Sequence, residues 1–263
     1  MKHTFVICAY KESEYLEECI QSILNQKAPS EVLMITSTPN SHIVNLASKY
    51  NINLIVNEGE GGIVQDWTFG YNQANTPYIT IAHQDDVYTS DFSSEVVKRL
   101  EASKNPLIAF TDYGELRDGA YIDKNRLLKV KRLMLSPLKL KMFENSKFVR
   151  RRILSLGNPI CCPSVTFVRD GMPDKIFNIK YRACEDWEAW EHLSKLSGGY
   201  VYLDRILMYH RIHEESETSS IIGDNVRTLE DYDMYCKFWP NWIAKILIKF
   251  YSKAQDSNEL KKA

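Results

Sequence analysis

The chain has 263 residues, 44% hydrophobic and 25% charged, enough for one large domain with a full core or a domain plus a small extension. Its formal net charge of -1 carries no global nucleic-acid signature, and no run of about 18 apolar residues is present to span a membrane. Its six cysteines, Cys8, Cys19, Cys161, Cys162, Cys184 and Cys236, form no C-x-x-C pair and no zinc spacing, so they read as small buried hydrophobes in a reducing compartment.

TFVICA (4–9) is an apolar run rich in β-formers and predicts a buried strand. The N-terminus runs straight into it with too short an apolar stretch for a signal peptide, so a cytoplasmic location is expected. Ser13 is a candidate helix N-cap, with Glu14, Glu17 and Glu18 near the positive dipole end. Leu16, Cys19, Ile20, Ile23 and Leu24 then fall on one helix face. EVLMIT (31–36) is a second strand, followed by a helix around 41–50 and a third strand, INLIV (52–56). A glycine-led helix (61–74), a fourth strand YITIA (78–82), a helix over 90–103 capped by Ser90 or Asp91, and a fifth strand LIAFTDY (107–113) complete the first half. This alternation predicts a doubly wound, mostly parallel α/β sheet, whose ligands bind outside the carboxyl ends of the strands. Ala9–Glu12, Thr36–Thr38 and Asp85–Asp86 all lie at such ends, so three loops converge on one edge.

The second half is less regular. Ten Lys/Arg fall between Arg126 and Arg152 against one acid, Glu144, making that segment about +9 and the remainder about -10. Such a segment is either a solvated face or the seat of an anionic partner. Helical patterns lie around 136–143 and 145–156, and a strand-like run over 160–169 is interrupted by Pro163. EDWEAWEHLSKL (185–196) is a helix with Trp187, Trp190, Leu193 and Leu196 on one face; residues 200–213 read as strands around a turn. The C-terminal WPNWIAKILIKFYSKA is a basic amphipathic helix with Ile243, Ile246, Leu247 and Phe250 on one side and Lys245, Lys249 and Lys253 on the other.

The HQDD stretch poses the chemical question. Asp85 and Asp86 repel each other at a strand end, and a divalent metal, a helix N-terminus or solvent could offset that cost. A carboxylate on the ligand-binding edge of a parallel sheet suits Mg²⁺ or Mn²⁺, ions that prefer carboxylate, water and phosphate oxygens.

The order FVICAYKESEYLEECIQSILNQ, Asn57-x-Gly59, HQDD, EDW and RIH resembles the inverting family 2 glycosyltransferases with the GT-A fold, from about residue 4 to 220. The resemblance implies a nucleotide-sugar half at about 1–113, an acceptor half at about 114–220 and a C-terminal helical extension over 221–263. It implies that Tyr10 lies against the base and Glu12 near the ribose. His83-Gln84-Asp85 matches the family's D-x-D motif, which makes Asp85 the metal ligand on the diphosphate and puts His83 where the family's ribose-contacting Asp stands. Asp86 matches an extra acid that caps the following helix. The usual Asp-Asp-Gly-Ser after the second strand is Thr36-Ser37-Thr38-Pro39 here, so base contact passes to Thr36 and to Asp66.

The resemblance further implies that Asp186 is the base that deprotonates the acceptor hydroxyl and that Glu185 orients the acceptor. Arg211 neutralises the leaving diphosphate, His213 is a second metal ligand, and Ser216, Thr218 and Ser219 cover phosphates in a lid. Trp187 and Trp190 are a sugar-binding wall or, at helical spacing, core. The implied cofactor is Mn²⁺ or Mg²⁺ and the implied donor a nucleotide-diphosphate sugar, UDP- or dTDP-linked. The acceptor would be a saccharide or polyprenyl-diphosphate-linked saccharide of a bacterial surface polysaccharide. The basic segment and C-terminal helix would suit peripheral attachment to the inner face of the plasma membrane, or the helix docks on the protein's own core or a dimer partner. A sugar nucleotidyltransferase fits less well, because AYKESE lacks a glycine-rich phosphate loop; a GT-A-like module that binds carbohydrate or nucleotide without catalysis is the remaining alternative.

Overall fold

A computed structural model describes residues 1–213 and 226–256. The first half follows the alternation expected: β1 His3–Cys8, α1 Leu16–Leu24, β2 Glu31–Thr36, α2 Ser41–Lys49, β3 Asn53–Val56, α3 Ile63–Gln73, β4 Tyr78–His83, the short β5 Val87–Tyr88, and α4 Phe92–Glu101. β6 Pro106–Arg117 and β7 Ala120–Ile122 form a hairpin, and α5 Arg126–Leu135 follows. Then come α6 Lys147–Leu154, β8 Val165–Val168, α7 Glu185–Ser194, β9 Gly199–Ile212, α8 Val226–Cys236 and α9 Asn241–Asp256.

Among the described residues the strands form one nine-stranded sheet in the order β3-β2-β1-β4-β8-β6-β9-β5, with β7 on β6. β1, β2, β3 and β4 run parallel; β8 is antiparallel to β4 and β6, and β6 and β9 pair in parallel. Side chains of β1 alternate between the two faces as a pleat requires: Phe5 and Ile7 meet α1, α2 and α4, while Val6 meets α3. The second face also buries α6, α7, α8 and part of α9 through Leu154, Trp187, Trp190, Met234, Tyr235 and Ala244. Helix α3 sits close enough that a Cβ on Gly70 would approach Val6 Cγ1 to 2.5 Å, so only glycine fits that contact.

The expectations differ from the structure in several places. Residues 200–213 are not strands around a turn but the greater part of one strand, β9, because the long β6 pairs with it past register shifts near Thr111 and Asp112. The pattern at 136–143 resolves into two short 3-10 turns, Ser136–Lys139 and Lys141–Phe143. The strand-like 160–169 narrows to β8 after a 3-10 turn at Cys162–Ser164. Tyr15, not Ser13, is the N-cap of α1, and the Ser13 hydroxyl accepts the Tyr15 N–H at 3.3 Å. Asp91 stands at the N-cap of α4 but makes no side-chain cap bond; its carboxylate binds Lys27 at 2.7 Å instead. Trp187 and Trp190 are fully buried core, not a sugar-binding wall. In α9, Leu247 and Ile248 pack against the core while Ile246 points outward, so the apolar face docks on the protein itself. No helix among the described residues is long and apolar enough to cross a membrane.

Candidate active site

The carboxyl ends of β1, β2 and β4 bring three loops together. Gln84 clasps the end of β1: its Oε1 accepts the Tyr10 N–H at 2.8 Å and its Nε2 donates to the Tyr10 carbonyl at 3.1 Å. This fixes the backbone of Tyr10 and leaves its ring half exposed. Lys11 adopts a left-handed φ of 53° and donates its N–H to Thr38 Oγ1 at 2.7 Å, which ties the first loop to the second. Glu12 is exposed beside them. Thr36 is fully buried and its hydroxyl accepts the Thr38 N–H at 3.0 Å, so it shapes the turn rather than facing the edge. Asp66 is also buried: Oδ2 accepts Ser37 Oγ at 2.7 Å and Oδ1 accepts Asn57 Nδ2 at 2.8 Å. The Asn57-x-Gly59 turn therefore holds α3 to the ends of β2 and β3.

At the end of β4 the acidic turn is built against β9. Asp86 is fully buried, and its Oδ1 accepts both His210 Nδ1 and the backbone N–H of Arg211, each at 2.9 Å. Asp86 therefore anchors β9 rather than capping the following helix as expected. Burial opposes a charge on His210, but Asp86 outweighs it and raises the imidazole to about 9. His210 is thus a cation at neutral pH, and it is one answer to the repulsion within HQDD. Asp85 Oδ2 meets His213 Nε2 at 2.9 Å, and the Asp85 carbonyl accepts Arg211 Nε at 2.8 Å. Burial works against the Asp85 charge, yet the His213 bond and the field of His210 hold its carboxyl below the usual range.

His83, Asp85 and Asp86 each offer a ligand atom within 4.8 Å of the others. His83 stacks on Trp67 with centroids 5.1 Å apart, and burial keeps its imidazole low, hence neutral and able to ligate. Two buried atoms there, Asp86 Oδ2 and His83 Nε2, have no hydrogen-bond partner among the described residues. Two carboxylates, a neutral imidazole and these orphaned atoms fit a divalent cation, and the imidazole suits Mn²⁺ better than Mg²⁺.

Arg211 is nearly buried. Its guanidinium donates to Glu18 Oε2 at 2.5 Å and lies 4.3 Å over the Tyr15 ring, which also meets the His213 ring at 4.9 Å. The first turn of α1 thus holds the arginine and histidine of the RIH motif against Asp85. The lid residues Ser216, Thr218 and Ser219 lie outside the described residues.

On the other side of the edge, Asp186 opens α7. Its Oδ2 accepts Asn158 Nδ2 at 2.7 Å and its Oδ1 accepts the Trp187 N–H at 2.7 Å. Burial outweighs these bonds and pushes its carboxyl above the usual range. Its charge is felt weakly at His83, so the EDW acid lies within electrostatic reach of the HQDD turn. Glu185 beside it is buried. The N-terminus of α7 has no side-chain cap of its own; Glu230 of α8 supplies one, accepting the N–H groups of Arg182, Ala183 and Cys184 at 2.8–3.2 Å. Sequence reasoning missed Tyr15, Trp67, Asn158, His210 and Glu230 as parts of the site. Only Glu18, noted for its place at the helix dipole, carried a signal.

A family model described as Glycosyl transferase family 2 matches residues 4–177. No curated protein matches the sequence significantly. Among solved structures, S. aureus TarS 1-349 in complex with UDP-GlcNAc is similar, with a TM-score of 0.67 and 16% identity over 94% of this chain and 70% of that one. The mannosyltransferase PcManGT from Pyrobaculum calidifontis, in complex with GDP-Man and Mn²⁺, aligns at 0.61 and 12% identity over 94% and 69% of the two chains. Glucosyl-3-phosphoglycerate synthase from Mycobacterium tuberculosis, with Mn²⁺ and UDP-glucose, aligns at 0.56 and 12% over 88% and 77%. At these identities the likeness is one of fold.

Proposed function

Because the chain belongs to glycosyl transferase family 2, we propose that it moves a sugar from a nucleotide-diphosphate sugar to an acceptor hydroxyl in one inverting displacement. The observation that carries the reading is the single edge on which Asp85, Arg211 and His213 are bonded together while the half-buried Asp186 acts on His83 from α7. Tyr10 offers a half-exposed ring to the base, and Glu12 stands beside it for the ribose. Asp66, fixed by Ser37 and Asn57, supports the base-facing turn, and Thr36 acts through the same turn. Asp85, with His83, Asp86 and His213, would hold Mn²⁺ or Mg²⁺, which neutralises the diphosphate when bound. Arg211 exchanges Glu18 for the leaving diphosphate, where its planar fork suits phosphate oxygens.

Asp186 takes the proton from the acceptor hydroxyl as that oxygen attacks the anomeric carbon. A carboxyl raised by burial is a stronger base, which serves that step. Glu185 orients the acceptor. The donor is a hexosyl or deoxyhexosyl nucleotide, UDP- or dTDP-linked. The acceptor is a saccharide or a polyprenyl-diphosphate-linked saccharide of a surface polysaccharide.

The test is nucleoside-diphosphate release by the full chain from a panel of nucleotide sugars with Mn²⁺, followed by the anomeric configuration of the product by NMR. An anomer opposite to that of the donor supports the reading. The substitution of His83 for the family's acid favours a module that binds without turnover, and no release from any donor, including slow hydrolysis, would support that alternative.

A further inference from the structure

The basic stretch at 126–152 does not form one cationic face. Arg150 is buried and donates to the carbonyls of Ser194, Leu196 and Gly198, closing the C-terminal end of α7. Arg132 pairs with Asp112 at 3.0 Å, Lys139 with Asp204 at 3.0 Å, and Lys131 donates to the Tyr113 hydroxyl at 2.8 Å. Three of the remaining cations, Lys147, Arg151 and Arg152, meet at a cleft of about 190 Å³ between α6 and the turn joining α8 to α9, which Phe148, Ser155 and Phe238 also line; Lys147 donates to the Lys195 carbonyl at 2.7 Å.

The helix period explains the cleft. Phe148 and Arg152, four residues apart, share the face of α6 opposite the buried Arg150, Ile153 and Leu154. The Arg152 guanidinium lies 4.7 Å from the Trp239 ring and 5.7 Å from the Phe148 ring. Among the described residues no carboxylate pairs with it. Aromatic faces hold a guanidinium by its plane and accept none of its N–H donors in the way an oxyanion does. Arg151 beside it is half engaged, with Glu191 at 2.7 Å and the Phe238 ring at 5.1 Å.

Large apolar side chains stand exposed on α6 and on the segments flanking its cleft partners in sequence. Phe148 is 73% exposed, Met142 on the preceding turn 78%, and Trp242 at the start of α9 66%. Large bare apolar side chains beside an arginine that no carboxylate pairs mark a surface that meets both charge and hydrocarbon. A hydrated polyanion would satisfy the arginine and leave Phe148 and Met142 in water; a bilayer of anionic lipid satisfies both.

We propose that this cleft docks the protein on an anionic membrane surface, with Arg152 and Lys147 on lipid phosphates and Phe148 in the acyl boundary. The site differs from the one read off the sequence, because the C-terminal helix spends its apolar face on the core.

The experiment is co-sedimentation of the full chain with vesicles of phosphatidylcholine alone and of three parts phosphatidylcholine to one part phosphatidylglycerol, at low and high salt. Its readout is independent of sugar transfer. Wild type binds the mixed vesicles at low salt, and Arg152→Glu and Phe148→Ser each weaken binding about tenfold or more. Both positions are exposed, and an unchanged melting temperature in either variant establishes that it is folded. Lys49→Gln, on α2 of the opposite sheet face, binds as wild type. Equal binding to neutral and anionic vesicles, wild-type binding by both folded variants, or capture by soluble heparin without vesicle binding overturns the proposal.

Discussion

The carboxylate of Asp86 holds the imidazole of His210 at 2.9 Å across 124 residues of sequence, joining the acidic turn after β4 to the C-terminal end of β9. The bond does two things. It neutralises one of two adjacent acids, and it sets the residues that follow, Arg211 and His213, against Asp85.

Removing one partner leaves the other charge buried. Asp86→Ala should cost about 3 kcal/mol by urea denaturation, the cost typical of breaking a buried pair. The double variant Asp86→Ala/His210→Ala should recover part of it. A cost within about 0.5 kcal/mol, as expected of an ordinary surface substitution, would show that the pair does not anchor β9.

Asp186 tests the chemistry separately from the fold. Asp186→Asn keeps an acceptor for Asn158 or Trp187 and should leave the melting temperature close to wild type. Transfer should fall by about 10²–10⁴-fold, the range of a lost general base, while donor affinity stays unchanged. Retained turnover would assign the proton to another group.

Glu230 reaches from α8 to the start of the helix that carries Asp186. Glu230→Ala should cost about 1 kcal/mol, as a lost cap does, and lower kcat more than it raises the donor KM. Glu230→Gln, which keeps one acceptor, should recover most of the stability. A loss of stability without any change in kcat would make Glu230 a cap and nothing more.

Acid sensitivity should come in part from His3. It sits buried between Ser30 and Thr80, 2.9 Å from each, and burial lowers its imidazole to about 3. The unfolded chain takes up this proton near pH 6.5 and the native chain does not, so native stability is fully present above that pH. It should be lost on acidification at about 1.4 kcal/mol per pH unit, down to the folded value near 3. Urea midpoints between pH 7.5 and 5 read the effect; His3→Gln should flatten the slope, and an unchanged slope would place the sensitivity elsewhere.

The parallel half was legible because apolar runs and helix periods alternate there without interruption, and one loop at each strand end then falls on the binding edge. The second half was not, because long-range pairing overrides local pattern. Residues 200–213 read as strands around a turn, yet pairing with β6 resumes after a bulge at Asp204 and Arg205 and keeps them one strand. Asp86 sits before a helix and reads as its cap, while its partners lie far off on β9. Arg150 and Lys131 look like members of a surface run, but one closes a helix end and the other binds Tyr113. Charge in sequence gives a sum; only the fold tells which charges are spent inside. The family resemblance supplied roles for Asp85, Asp186 and Arg211, and the contacts that position them were absent from any motif.

The most direct measurement is the melting temperature of wild type and Asp85→Ala with UDP-, dTDP- and GDP-linked sugars, with and without Mn²⁺. A donor at about a hundred times its Kd should stabilise wild type by about 2.7 kcal/mol, a rise of roughly 5 °C or more. The account predicts that rise for one nucleotide class, only with Mn²⁺, and its loss in Asp85→Ala. A rise that ignores the metal and survives the substitution would contradict the claim that the acidic turn after β4 holds the ion on the diphosphate.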